Sequence, residues 1–183
     1  MRVGRVVLTT CDAFEVFPPP LFSYLKWLVP LPLSAQIMGG AMLAFPALRR
    51  LSIAFGRLAK RPIDDALTTQ WLRPLFRDPA IRRDLQKFVR GVSPDVTQAV
   101  GRELANVKKP FLLVWTPEDR LFPMSLCDRL AKTLPDARVV TVPDAYTFVQ
   151  EDQPEALARA IRGCFADAPH KCDGGPPHDF RHL

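Results

Sequence analysis

The chain has 183 residues, of which 48% are hydrophobic and 24% are charged, and it is long enough to bury one sizeable core. Its net charge of +6 arises mainly between residues 49 and 109, where fourteen Lys and Arg residues stand against six Asp and Glu residues. This interval has neither a zinc-finger spacing nor interleaved glycine and aromatic residues, so a nucleic-acid partner is not expected.

The first predicted element is a strand at residues 4–10, GRVVLTT, which is rich in β-branched residues. It lacks the leucine-rich core of a secretory signal. The run Phe17-Pro18-Pro19-Pro20 ends this element, and a helical stretch with many breaks follows to about Val107.

The residues from Trp27 to Leu48 carry no charge, and their number would just cross a bilayer. However, Pro30, Pro32 and Pro46 would interrupt a spanning helix. We therefore expect short helices whose apolar side faces a cavity or a partner, and we do not expect a membrane partner.

Two later helices have recognisable starts. Asp78-Pro79 predicts a helix through Arg90, and Ser93-Pro94 predicts one through about Asn106. Asp and Ser side chains accept hydrogen bonds from the free amides of a first turn, and proline suits its first position.

The pattern changes after Pro110. Residues 111–115, FLLVW, and 137–142, ARVVTV, are apolar runs, and the helices between and after them are predicted from Pro123 to Leu134 and from Pro154 to about Phe165. Strands and helices that alternate in this way predict an α/β fold with a parallel sheet covered on both faces. The tail, residues 167–183, is polar and rich in Pro and Gly, so we expect disorder there.

The four cysteines show no CxxC pair, so no zinc site or disulfide framework is indicated; they are Cys11, Cys127, Cys164 and Cys172. Reduced thiols fit a cytoplasmic protein. No cofactor or metal is expected.

The order of GRVVLTTCDAF, a helical insertion, PFLLVWTPEDRLFP, ARVVTVPDA and FVQEDQPEALA resembles the second half of an α/β-hydrolase of the epoxide hydrolase and haloalkane dehalogenase type. The resemblance implies a partial α/β-hydrolase fold, a parallel sheet fragment with a helical cap. Its parts are a core strand and loop at 1–17, the cap at 18–95 and the C-terminal part of the core at 96–166.

The resemblance assigns the triad acid to Asp119 in the WTPEDRLFP stretch. In such enzymes this carboxylate orients a histidine and stabilises its imidazolium. The alternative is that Glu118 and Asp119 cap the helix after Pro123 or solvate a turn.

The other catalytic partners are not where the resemblance requires them. No G-x-S-x-G elbow or Asp-centred counterpart occurs, and the segment that should carry it is expected before Met1. In the run Ala145-Tyr146-Thr147-Phe148, Thr147 stands at the histidine position, and threonine is not a base near neutral pH. The only histidines are in the tail: His170, His178 and His182.

Asp12 is an alternative acid, because some relatives place the triad acid after the earlier strand and TTCDAF resembles that position. It could equally cap the turn before Phe14. Cys11 beside it has no base to make its thiolate, so it is interpreted as a small buried residue.

Two functions stay open. The chain is either the C-terminal portion of a hydrolase of a small apolar or ester-like substrate, inactive until the missing half is joined to it, or a non-catalytic binding or interaction protein on the same scaffold. Self-association through an exposed sheet edge is also expected. Eight aromatic and Met side chains would line a cavity if they face inward, and the alternative is that most of them pack the core of the cap itself. They are Phe14, Phe17, Phe22, Trp27, Met38, Met42, Phe45 and Phe55.

Overall fold

The computed structural model describes residues 3–166. The predictions for the tail, including its histidines and Cys172, lie outside these residues. The elements follow in the order β1 (Val6–Thr9), α1 (Leu25–Leu28), α2 (Ser34–Ala44), α3 (Asp65–Arg77), α4 (Pro79–Gly91), α5 (Pro94–Glu103), β2 (Phe111–Trp115), α6 (Met124–Thr133), β3 (Ala137–Thr141), α7 (Val149–Asp152) and α8 (Pro154–Ala166). Short 3-10 turns lie at Pro20–Phe22, Pro46–Arg50 and Leu104–Asn106.

The three strands form one parallel sheet in the order β1-β2-β3. Val6 pairs with Phe111, and Phe111 pairs with Ala137. The predicted α/β class and the parallel arrangement of the three apolar runs are thereby confirmed. The first and third strands are shorter than predicted, ending at Thr9 and Thr141.

Burial differs between the strands. Every residue of β2 is buried, whereas β1 and β3 are half-buried along their whole lengths. Side chains of residues 137–142 nevertheless pack on both faces of the sheet, Ala137 and Val139 against one core and Val140 against the other. Strand β3 lies at an edge of the sheet and pairs with β2 on one side only, within the part of the chain that the structure describes.

Alternate side chains of β2 enter two separate cores, as the period of a strand requires. Leu113 and Trp115 pack with Leu126 and Leu130 of α6 on one face of the sheet. Leu112 and Val114 form the other core; their neighbours there include Val142, Val149 and, from α8, Leu157 and Ile161.

The predicted helix starts are present. Asp78 accepts a hydrogen bond from the Ala80 amide at 2.7 Å, and Ser93 accepts one from the Asp95 amide at 3.2 Å. In both helices proline occupies the first turn. These contacts satisfy amides that have no partner within the helix.

The helices α1 to α4 lie outside the sheet, with α2 against α3 and α1 against α4. The uncharged residues 27–48 are divided among the end of α1, all of α2 and a 3-10 turn, and Pro30 and Pro32 lie in the break. Among residues 3–166 no helix has the length and apolar character needed to cross a membrane.

Candidate active site

The loops that follow the three strands meet at one edge of the sheet, because the strands are parallel. Ligands of open α/β sheets bind at this carboxyl edge. The loop after β2 is held by the indole of Trp115, whose Nε1 donates to the Phe122 carbonyl at 2.9 Å. This bond folds residues 116–122 back over the end of the strand.

Asp119 is the hydrogen-bond acceptor at the centre of this loop. Its Oδ1 accepts from the amides of Leu121 and Phe122, both at 2.6 Å. Its Oδ2 accepts from the hydroxyl of Thr147 at 2.7 Å. Burial raises the pKa of Asp119 above its ordinary value, and the three hydrogen bonds lower it in part.

The helix-capping alternative for this pair of acids is not what the structure shows. Helix α6 begins at Met124 after Pro123, with no side-chain cap. Asp119 instead binds the loop amides before the helix. Glu118 points elsewhere, since it pairs with Lys60 and accepts from the Asp144 amide at 2.8 Å.

Thr147 lies in the loop between β3 and α7 and is 9% exposed. Its neighbours are fixed on both sides, because the Tyr146 amide donates to Asp152 at 2.9 Å and the Phe148 amide donates to the Leu58 carbonyl at 2.7 Å. The structure therefore brings Thr147 and Asp119 together. A threonine hydroxyl can donate to the carboxylate, but it cannot take a proton from a nucleophile near neutral pH.

Asp12 follows β1 at the same edge of the sheet. Its buried Oδ1 has no hydrogen-bond partner among the described residues. Burial raises the pKa of Asp12 to about 6, with its own backbone amide lowering it in part. For Cys11, burial and then the neighbouring Asp12 raise the pKa to about 11, so this thiol stays protonated at neutral pH.

A cavity of about 510 Å³ lies between the helices and this edge. Asp12 and Thr147 line it, together with mainly apolar side chains that include Phe17, Phe22, Met38, Met42 and Phe55. Asp119 is not among the lining residues. The volume suits a small molecule, and the few polar groups match the usual composition of ligand sites.

Three aromatic residues expected in this lining lie elsewhere. Phe14 is buried in the core beneath the sheet edge, where the Arg129 guanidinium lies 3.9 Å from the centre of its ring. Trp27 and Phe45 are 79% and 65% exposed. The spacing of these residues along the chain did not indicate which side of each short helix faces the cavity.

Sequence reasoning missed Asp152 as a residue that shapes the site. Its carboxylate is buried and accepts from the backbone amides of Lys60, Arg61 and Tyr146. It thus joins the segment after the 3-10 turn at Pro46–Arg50 to the loop that carries Thr147. The only signal in the sequence was an acidic residue two positions before Pro154, which alone does not identify a partner.

A metal centre is not formed by the described part of the chain, where no group of three or more His, Cys, Asp or Glu side chains could hold an ion. The site consists of two carboxylates, a threonine and an apolar cavity.

No protein-family model matches the chain. Its sequence is 30% identical over 102 residues to the uncharacterized hydrolase YugF of Bacillus subtilis, a match that covers 56% of this chain and 36% of YugF. It is 44% identical over 54 residues to haloalkane dehalogenase 2 of Mycobacterium tuberculosis, covering 29% of this chain and 19% of that protein. Over part of its length the chain is therefore similar in sequence to a hydrolase and to a haloalkane dehalogenase.

The solved structures that are similar to this chain agree with these sequence matches. The haloalkane dehalogenase DatA of Agrobacterium tumefaciens C58 matches 90% of this chain with a TM-score of 0.64 and 20% identity. The α/β hydrolase MGS-M2 from a deep-sea metagenome library matches 92% of it with a TM-score of 0.59 and 19% identity. The chain spans 58% of each of these two structures and therefore has part of the α/β-hydrolase fold.

Proposed function

We propose that this chain contributes the cap, the apolar cavity and the orienting-acid position of an α/β-hydrolase scaffold, and that by itself it binds a small apolar molecule without hydrolysing it. Residues 18–95 serve as the cap over the cavity, and the described thiols, which are all unpaired, fit a cytoplasmic protein.

One observation carries this proposal. The carboxylate that would orient a base, Asp119, is bonded at 2.7 Å to the hydroxyl of Thr147. A group of catalytic residues acts as a unit, and loss of one member costs several orders of magnitude in rate. The cavity and its apolar lining do not depend on that base.

The purified chain tests both halves of the proposal. An apolar probe such as 1-chlorohexane should bind in the cavity, as measured by calorimetry, and Met42→Asp, which places a charge in the lining, should abolish binding. Ester, epoxide and haloalkane substrates should show no turnover above background, and Asp119→Asn should leave that background unchanged. Turnover that depends on Asp119 would contradict the proposal.

A second candidate is a hydrolase of a small apolar or ester-like substrate, formed when further sequence supplies a nucleophile elbow and oxyanion donors. The matches to a hydrolase and to a haloalkane dehalogenase favour it, and so does the fraction of each relative that the chain spans.

Fusing the chain to the N-terminal half of a related hydrolase separates the candidates. With Thr147→His, the second candidate predicts ester hydrolysis that also requires Asp119. The fused protein could instead turn over substrate with Thr147 unchanged and lose that activity when Asp12 is mutated. That result would identify Asp12 as the catalytic acid.

A further inference from the structure

The first part of the helical region has an unusual charge distribution. Between Glu15 and Asp64 the sequence has no acidic residue at all. Six basic residues lie in this interval, namely Lys26, Arg49, Arg50, Arg57, Lys60 and Arg61. Any surface built from it alone can only be neutral or positive.

The same interval exposes several large apolar side chains. We call this set the apolar face: Trp27, Leu31, Leu33, Ile37 and Phe45, which are 79%, 53%, 65%, 65% and 65% exposed. Trp27 lies on α1, and Leu31 follows the end of that helix. Leu33 and Ile37 are one helical turn apart, and the Ile37 amide donates to the Leu33 carbonyl at 2.8 Å.

Other residues of this region already pack in the interior of the protein. Val29, Ala35 and Gly39 are buried, and Met38 and Met42 line the cavity. Gly39 lies against α3, where an added Cβ would contact Leu75 at 3.5 Å. The apolar face is therefore not the inward side of α1 and α2, and its exposure in water is unfavourable by roughly 25 cal/mol per Å².

Cations flank the apolar face in the sequence and occur on the helices that pack against α1 and α2. Lys26 precedes Trp27, and Arg50 lies two positions after the end of the uncharged segment; both are exposed. Helix α3 packs on α2, helix α4 packs on α1, and together they carry six Lys and Arg residues against two Asp residues. An apolar surface with an aromatic residue and cations around it is the pattern of a protein that lies on an anionic bilayer.

A protein partner fits the apolar face less well. Protein interfaces have a polar rim and about one hydrogen bond per 100–200 Å². Between residues 27 and 48 the only polar side chains are Ser34 and Gln36, and Ser34 already donates to carbonyls of its own loop. A lipid surface requires no such hydrogen bonds from the face.

We propose that the apolar face docks on the surface of an anionic membrane, with Trp27, Leu31 and Leu33 at the boundary between headgroups and acyl chains and with Lys26 and Arg50 among the phosphates. This contact is peripheral and needs no spanning helix. It is independent of the function proposed above, yet it would place the helices that form the cavity wall against a reservoir of apolar molecules.

Vesicle flotation tests the proposal, because lipid-bound chain floats while aggregated chain sinks. The chain should float with vesicles of phosphatidylcholine and phosphatidylglycerol, and the emission of Trp27 should shift to shorter wavelength. Binding should weaken about fivefold for each cation removed and should fall with added salt. The double variant Lys26→Gln plus Arg50→Gln measures this electrostatic contribution to binding.

The contribution of the apolar side chains to membrane binding is measured with the double variant Trp27→Ser plus Leu33→Ser. A second double variant, Leu31→Ser plus Ile37→Ser, measures it independently, and each pair should abolish flotation. Val100→Ser is the matched control, since Val100 is 55% exposed on α5 and outside the face. Circular dichroism verifies folding of each variant. Flotation that survives both serine pairs, or that is equal on vesicles without phosphatidylglycerol, would overturn the proposal. The chain could instead self-associate in the absence of lipid and lose this self-association in both serine pairs. That result would mean that the apolar face contacts a second copy of the chain rather than a membrane.

Discussion

Gly101 of α5 lies directly against the ring of Phe14, so that a Cβ added at Gly101 would be 2.6 Å from Cδ1 of that ring. Phe14 is 5% exposed and has a positive φ of 54°. Its ring packs in the core with Trp115 and Phe122, and its carbonyl accepts from the Thr97 hydroxyl. The ring therefore has little freedom to move away.

This contact predicts that Gly101→Ala destabilises the fold by about 1–3 kcal/mol through overpacking. Gly163→Ala is the control, because Gly163 is also helical and an added Cβ there meets nothing within 4 Å. The control should be neutral or more stable by up to about 1 kcal/mol, since alanine is the better helix former. Urea unfolding measures both, and equal effects would contradict the assigned contact.

Asp152 is expected to be the most sensitive carboxylate in the structure to an isosteric change. Asp152→Asn turns a nitrogen towards the backbone amides of Lys60, Arg61 or Tyr146, which then lose an acceptor in a buried position. We expect a loss of about 3 kcal/mol or more in the free energy of unfolding. Asp128→Asn, on the exposed side of α6, should change it by less than about 0.5 kcal/mol.

The bond between Thr147 and Asp119 makes a prediction about titration. The Thr147 hydroxyl lowers the pKa of Asp119, against the larger effect of burial. Thr147→Val should therefore raise that pKa further and destabilise the fold by about 1.5–3 kcal/mol, the usual contribution of a hydrogen bond to a charged group. Thr147→Ser keeps the donor and should preserve the pKa, as followed by NMR of the Asp119 carboxyl carbon. An unchanged pKa in the valine variant would show that the bond does not form in solution.

Asp12 should make stability fall as the pH rises. Its pKa is about 6 in the folded chain against an ordinary value of 3.8, so the folded state binds the proton more tightly than the unfolded state. The contribution of Asp12 to the free energy of unfolding is most favourable below pH 3.8. It declines between pH 3.8 and about 6 and is constant at higher pH. Other carboxylates titrate in this range, so the informative quantity is the difference between Asp12→Asn and the parent chain. The asparagine variant should gain stability relative to the parent across this window, and a difference that does not vary with pH would contradict the raised pKa.

The sheet edges predict self-association of the isolated chain. Strands β1 and β3 each pair only with β2 in the part of the chain that the structure describes, and unpaired edges act as templates for other strands. Light scattering should show oligomers whose size increases with concentration and that persist in the Trp27→Ser plus Leu33→Ser variant. A monodisperse monomer with cooperative unfolding would argue against this.

Much of the fold follows from local sequence. Residues 111–115 are apolar at every position. A short apolar run between Pro110 and a turn indicates a strand that is buried on both faces. Asp78 and Ser93 mark helix starts because the groups they satisfy lie two or three residues away in the chain. The resemblance to α/β hydrolases depends on the order of such elements, so it too was available from the sequence.

The tertiary structure decided which side chains face the cavity and which partners the buried acids have. Phe17 and Trp27 are both aromatic residues near short helices, but one lines the cavity and the other faces solvent, because packing against other helices sets the rotation of each turn. Asp152 binds amides 91 and 92 positions away, and Thr147 reaches an acid 28 positions away. Contacts at such separations depend on how the sheet and the helices bring distant loops together, and no local pattern of residues encodes that arrangement.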